Sequence, residues 1–239
     1  MDDIQLYCQR AGQGHPLVLL HGNGEDHTYF APLIPRFAAF RRVYALDTRG
    51  HGQSPRGNAP FTLVQFARDL LAFLDREGIE QADLLGFSDG GNIALLFALE
   101  HPERVSRLVL NGANLDPGGV KPSTQIPIVL GYRIASLFPG QKARRNAELL
   151  GLMVREPHIP PGELERLTMP TLVIAGTRDM IRPEHTRLIA EHIPGARLQL
   201  LEGSHFIAKE SPDAFYRAVA DFLAQPPGER RPEARRDSL

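Results

Sequence analysis

Ser88 is the residue of this chain whose surroundings most invite chemistry. It sits in Gly86-Phe87-Ser88-Asp89-Gly90, after the apolar run ADLLGF and before the apolar stretch NIALLFALE, so a G-x-S-x-G turn joins a strand to a helix. The flanking glycines have a steric purpose: the chain turns so sharply that a Cβ at either position would collide, which leaves the serine strained and exposed. Taken alone, the pentapeptide fits a helix N-cap serine in a glycine-rich turn equally well, so the partners of Ser88 must decide.

A serine hydroxyl is a weak nucleophile at neutral pH and needs a base, which in turn needs an orienting acid. Among nine histidines, His205 in LEGSHF follows a strand run and a glycine and precedes a helix, which places it on a loop at the same sheet edge as Ser88. His101 and His192 lie in or at the end of helix patterns, and His15 and His158 lie in turns. All four read as solvated or structural. Asp179 in AGTRDMI directly follows the run PTLVIAG, giving the chain order Ser, Asp, His. Its bland alternative is a turn aspartate, and Asp116 after VSRLVLNGANL is the second candidate for the acid. Acyl transfer also needs two N–H groups aimed at the developing oxyanion, each worth about 3–4 kcal/mol. The helix after Ser88 offers the backbone N–H of Asp89, and the loop HGNG after PLVLL offers that of Asn23. A glycine-rich turn without chemistry is the competing account of that loop.

The elements that must position these residues are legible as apolar runs. PLVLL, RVYALD, ADLLGF, VSRLVLNG, PTLVIAG and ARLQLLEG read as buried strands. In TLVQFARDLLAFLDREG, Leu63, Phe66, Ala67, Leu70, Leu71 and Leu74 form one stripe of a helix, with Thr62 as N-cap and Gly78 as terminator. A second helix starts at Ser211-Pro212 and runs through Phe215, Val219, Phe222 and Leu223. Strands alternating with helices predict an α/β fold with a mostly parallel sheet covered on both faces, whose functional groups gather at the C-terminal strand ends. The alternation breaks between Leu115 and Leu167, where QIPIVLGYRIASLF and RRNAELLGLMV predict short helices separated by Pro139 and Gly140. The expected organisation is therefore a core of residues 1–114 and 168–223, an insertion of 115–167, and a tail of 224–239 lacking order.

Bulk composition narrows the function classes. A chain of 239 residues with a single cysteine, Cys8, needs no internal disulfide, in keeping with a reducing compartment. A net charge of -1 gives the whole molecule no field to gather nucleic acid or an anionic membrane. The start MDDIQLYCQR lacks the layout of a secretory signal, so a cytoplasmic protein with small-molecule partners is expected; oligomeric state is not legible. No H-E-x-x-H, cysteine cluster or phosphate loop is present, so neither metal nor cofactor is expected.

With these residues assembled, the chain resembles serine hydrolases of the α/β-hydrolase superfamily along nearly its whole length: HGNG, DTRGHGQS at Asp47 to Ser54, GFSDGG, GTRDMI and GSHF. The resemblance implies that 115–167 is a cap over the active site and that DTRGHGQS is structural, with Arg49 and His51 anchoring the loop. A serine nucleophile sets the chain apart from haloalkane dehalogenases and epoxide hydrolases, which use an aspartate. GFSDGG with the later NGAN is most similar to the biphenyl-hydrolase-like amino-acid ester hydrolases, the valacyclovirases, in which the acid after the nucleophile holds the substrate's α-amino group. By that resemblance Asp89, with Asn23, would bind substrate. Otherwise Asp89 merely favours the helix N-terminus, by about 0.3–1 kcal/mol. A substrate ammonium about 4 Å from the carboxylate would gain roughly 4 kcal/mol at an effective dielectric of 20. Ile126, Ile128, Tyr132, Leu137 and Phe138 are candidates to line the pocket, though such a stripe also suits the core of the cap. The expected activity is hydrolysis of small carboxylic esters through an acyl-enzyme. Cleavage of a carbon–carbon bond next to a carbonyl, cleavage of an amide, and a ligand sensor of the same fold are the alternatives.

Overall fold

Short runs rich in Val, Leu and Ile need cover on both faces, and here they obtain it by pairing side by side beneath helices. The computed structural model describes residues 4–225. The chain runs β1 (Cys8–Ala11), β2 (Pro16–Leu20), α1 (Ile34–Ala38), β3 (Arg42–Leu46), α2 (Leu63–Arg76), β4 (Ala82–Phe87), α3 (Asp89–Glu100) and β5 (Val105–Asn111). The insertion supplies α4 (Pro122–Leu137) and α5 (Gln141–Arg155). Then follow β6 (Thr171–Gly176), α6 (Pro183–His192), β7 (Arg197–Leu201), α7 (Ile207–Glu210) and α8 (Pro212–Leu223).

The seven strands form one sheet in the order β1-β3-β2-β4-β5-β6-β7, parallel except for β1, which pairs antiparallel with β3. All six strand runs read from the sequence are present, but β7, expected to be buried, is an edge strand whose Leu198, Gln199 and Leu200 are exposed. β1 is the strand that reading missed: its residues CQRA bury little beyond Cys8, so an edge strand of this kind carries no apolar alternation to find. Within β2, Val18 and Leu20 face one core layer and Leu17 and Leu19 the other. The first layer is closed by α2, α3 and α6, the second by α1, α7 and α8. The Thr62 side chain accepts the N–H of Gln65 and caps α2, as expected, and Gly78 follows it at φ 64°.

Successive strands are laid down outward from β2 in one direction through β3 and in the other through β4. That reversal opens a crevice beyond the strand ends between β2 and β4, where open α/β sheets bind ligands. Leu20 lies opposite Gly86, and Phe87 opposite Asn111. The loops after β2, β4 and β5 therefore leave the sheet at one level, and those after β6 and β7 follow it, with Gly176 opposite Leu201.

Both helices expected in the insertion form. α4, however, buries none of its residues, and Ile126, Leu137 and Phe138 are exposed to solvent. Ile126 and Leu137 face solvent instead of the expected pocket, and Phe138 lines only an open groove where α4 meets α5; α4 packs on α5 with its other face, which Tyr132 and Ile128 share in part. The expected unstructured tail falls on 226–239, outside the described residues, while Ala224 and Gln225 close α8 through Ala224 N–H to Ala220 O at 2.9 Å. Among the described residues no helix is long and apolar enough to cross a membrane.

Candidate active site

The turn between β4 and α3 holds Ser88 at φ 53° and ψ -120°, the one non-glycine residue with positive φ among those described. Such a conformation costs on the order of 1–3 kcal/mol and persists where the surroundings over-determine it. Here the Ser88 N–H donates to Asn111 O at 2.8 Å and Ser88 O accepts from Asn92 N–H at 3.0 Å. The glycines are needed as expected. A Cβ on Gly86 would stand 2.2 Å from Gly90 O, and one on Gly90 would stand 2.1 Å from Leu20 O. Ser88 occupies the N-cap position of α3, yet its side chain makes no capping bond. The helix-cap alternative therefore fails, and the hydroxyl is left for other work.

His205 and Asp179 meet at the same edge. His205 Nδ1 and Asp179 Oδ1 are 2.7 Å apart, and each residue is 4% exposed. A carboxylate acceptor fixes Nδ1 as the protonated nitrogen, which leaves Nε2 as the basic one. Asp179 Oδ1 also accepts the N–H of Ile181 at 2.9 Å, and the Asp179 carbonyl accepts Lys121 Nζ, so the acid is held from both sides. The imidazole lies against the neighbours of Ser88: its ring centroid is 4.8 Å from that of Phe87, and a Cβ on Gly112 would stand 2.7 Å from its Cε1. Gly112 adjoins Asn111, whose carbonyl anchors Ser88. Nε2 is buried with no hydrogen-bond partner among the described residues, although an orphaned buried group costs about 1–3 kcal/mol. Asp116, the second candidate for the acid, instead accepts the N–H of Gly118 at 2.7 Å as an ordinary turn residue. His192 bonds back to Leu188 O within its helix, and the His101 ring packs on Phe97.

Asn23 and Asp89 face each other across the crevice. The Asn23 Nδ2 amide donates to Asp89 Oδ2 at 2.8 Å and to Leu149 O on α5 at 2.9 Å, tying the loop after β2 to the nucleophile turn and to the insertion. The backbone N–H of Asp89 lies in the first turn of α3, among the helix donors that lack an intrahelical acceptor. The Asp89 carboxyl is buried and pushed up to about 6, chiefly by desolvation; the Asn23 amide opposes the shift, Glu156 adds to it, and His205 lowers it. No Lys or Arg pairs with it among the described residues. Tyr132 is packed on α5, with Arg155 Cζ 5.3 Å from its ring centre.

Several supporting residues were not singled out from the sequence. Asn92 and Asn114 form a reciprocal pair, Nδ2 to Oδ1 at 3.0 Å and Asn114 N–H to Asn92 Oδ1 at 2.9 Å, which fastens α3 to the loop after β5. Both asparagines lay inside quoted stretches, NIALLFALE and NGAN, but only the fold reveals that they are partners. Glu25 accepts Gly22 N–H at 3.3 Å and meets Lys209 Nζ at 3.1 Å, joining the Asn23 loop to the helix after His205. The loop DTRGHGQS is structural, as expected. Arg49 is fully buried and bidentate with Asp69, at 2.7 Å for both bonds, and His51 bonds Thr48. Asp26, His27 and Asp47 bring ligand-type atoms together, but the Asp47 oxygens already accept the backbone N–H groups of His27 and Gln53.

Comparison with known proteins identifies the family of the fold. The model of the alpha/beta hydrolase fold family matches residues 15–141, more than half of the chain. The 2-hydroxymuconate semialdehyde hydrolase of Pseudomonas sp. (strain CF600) is 34% identical, over 93% of this chain and 91% of its own. The chain belongs to the α/β-hydrolase fold family. Serine hydrolase BPHL of Mus musculus is 30% identical over 93% of this chain and 84% of its own. Among solved structures, the enol-lactonase from Burkholderia xenovorans LB400 is similar with a TM-score of 0.79 and 26% identity, covering 93% of this chain and 97% of that one. As an α/β hydrolase the protein is a hydrolytic enzyme, and its relatives cleave chemically different bonds.

Proposed function

We propose that this enzyme hydrolyses small carboxylic esters through an acyl-Ser88 intermediate and favours esters whose acyl part carries an amine. The observation that supports the chemistry best is the Asp179–His205 contact, with an unpartnered Nε2 on a ring packed against Phe87, the residue before a serine forced into positive φ. In this reading Nε2 takes the proton of Ser88 as its Oγ attacks the ester carbonyl. Asp179 holds the ring and stabilises the imidazolium, and the N–H groups of Asn23 and Asp89 receive the oxyanion. Collapse of the tetrahedral intermediate expels the alcohol with the proton from His205. Water then repeats the sequence on the acyl-enzyme.

The preference for an amine rests on Asp89. A carboxylate beside a developing oxyanion opposes catalysis unless a cation offsets it, and Asp89 has an amide as partner rather than a cation. A substrate ammonium in that place would find the Asp89 carboxylate and, close by, the Leu149 carbonyl that Asn23 already uses. The test is a set of matched ester pairs, with and without the α-amino group, given to the parent and to Asp89→Asn. The parent should show the higher kcat/KM on the amine-bearing member by at least tenfold, and Asp89→Asn should erase that gap while keeping activity on the plain ester. Equal rates on both members in the parent would refute the amine preference. Failure of Ser88→Ala to abolish turnover would refute the acyl-enzyme.

The 34% identical relative named as a 2-hydroxymuconate semialdehyde hydrolase supports a second reading, in which the same three residues cleave a carbon–carbon bond next to a carbonyl. Faster turnover of a ring-fission diketone than of any ester in the panel would favour it.

A further inference from the structure

The outer face of α4 is an apolar strip that the described residues leave exposed. Ile126, Leu130, Ile134 and Leu137 recur at helical spacing and are 66, 58, 48 and 81% exposed, and Phe138 extends the strip at 63%. The opposite face of α4 packs on α5, with Gln125 Nε2 donating to Met153 O and a Cβ on Gly131 3.3 Å from Leu150, so the strip is the side turned away from the fold. An exposed apolar face of this length is rare on a monomer without a partner.

Charge indicates which partner. Across residues 121–155 there are six basic side chains, Lys121, Arg133, Lys142, Arg144, Arg145 and Arg155, against one acid, Glu148. Glu148 is engaged by Arg56 at 2.6 Å. The near-zero net charge of the whole chain hides this concentration. Lys142 and the apolar side chains Ile134 and Phe138 line one groove of about 600 Å³ where α4 meets α5, and Arg133 flanks the strip on α4. A second copy of the chain would bring the same cations face to face across a two-fold contact, which like charges oppose. A surface that is apolar beneath and anionic above satisfies both features.

We propose that the α4–α5 hairpin docks reversibly on anionic lipid surfaces, with Ile126, Leu130, Ile134, Leu137 and Phe138 entering the headgroup–acyl boundary and Arg133 and Lys142 meeting lipid phosphates. This is interfacial binding by an amphipathic helix lying in the surface plane, and it needs no spanning segment.

The test is co-sedimentation of the full chain with vesicles of phosphatidylcholine alone or mixed with phosphatidylglycerol, alongside sedimentation equilibrium without lipid. Binding to the mixed vesicles, weakened by salt and weaker still on the neutral ones, is expected. Lys142→Gln should reduce the partition coefficient about fivefold, the share of one cation near the surface. Leu137→Asp combined with Phe138→Ser should abolish binding while leaving hydrolysis of a water-soluble ester unchanged, which separates this proposal from the reading of the active site. Absence of binding to anionic vesicles, or equal binding by the double variant, would overturn it. So would a dimer that the double variant dissociates in the absence of any vesicle binding, since the face would then join two copies.

Discussion

Burial moves the Asp89 carboxyl up to about 6 from 3.8, against an opposing pull from the Asn23 amide. Because the folded state binds this proton more tightly than the unfolded chain, stability falls as pH rises from about 4 to about 6, and the full cost remains at neutral pH. Roughly two pKa units correspond to a cost of about 3 kcal/mol. Asp89→Asn keeps an oxygen for the Asn23 amide and carries no charge, so it should be more stable than the parent by about 2–3 kcal/mol at neutral pH, and the advantage should vanish below about pH 4. Urea unfolding across that range checks this, and a variant no more stable at neutral pH would contradict it. The same carboxylate, once offset by an ammonium, should favour ligand. In Ser88→Ala, affinity for an amine-bearing ester should therefore fall about tenfold per unit as pH drops below about 6, whereas affinity for its amine-free match stays level; calorimetry reads both.

At the scale of elements, the nucleophile turn depends on how closely backbones can approach. A Cβ on Gly90 would meet the Leu20 carbonyl at 2.1 Å, and that carbonyl belongs to a central strand that cannot retreat without breaking its ladder. Gly90→Ala should lower stability by more than about 3 kcal/mol, whereas Gly162→Ala, where no atom lies within 4 Å, should be nearly neutral; thermal unfolding of the pair decides. The five parallel strands β2 to β6 and α2 were legible because buried strands must be continuously apolar and a half-buried helix must carry a stripe; β7 was found by its leucines although they are largely exposed at the sheet edge. β1 was not, since an edge strand can pair through its backbone with polar side chains such as Gln9 and Arg10 turned outward. α4 misled in the opposite way. Its apolar spacing is real, but spacing alone cannot say whether a stripe faces a core, a pocket or solvent, and here Ile126, Leu137 and Phe138 face solvent.

Across the whole molecule, residues 88, 179 and 205 all follow strand ends on one edge of the sheet, and Asp179 meets His205 there, so strand order along the chain could point to the candidate partners of Ser88 before any coordinates. Side-chain pairings between loops, such as Asn23 with Asp89 and Leu149, or Asn92 with Asn114, depend on packing that no local pattern encodes. Asn23 is also a hydrogen-bonded link from sheet edge to α5. Asn23→Ala should accelerate amide hydrogen exchange in α5 while leaving β4 and β5 protected; unchanged exchange in α5 would mean that its other contacts, Arg56–Glu148 and the bond from Leu63 N–H to Glu156 among them, hold α5 without Asn23. The most direct measurement on the central claim is covalent labelling by a fluorophosphonate, with the adduct located by peptide mass spectrometry. One adduct on Ser88, absent from Ser88→Ala and much slower to form in His205→Ala, is the predicted result. An adduct on a different residue, or equal labelling rates with and without the imidazole, would contradict the account.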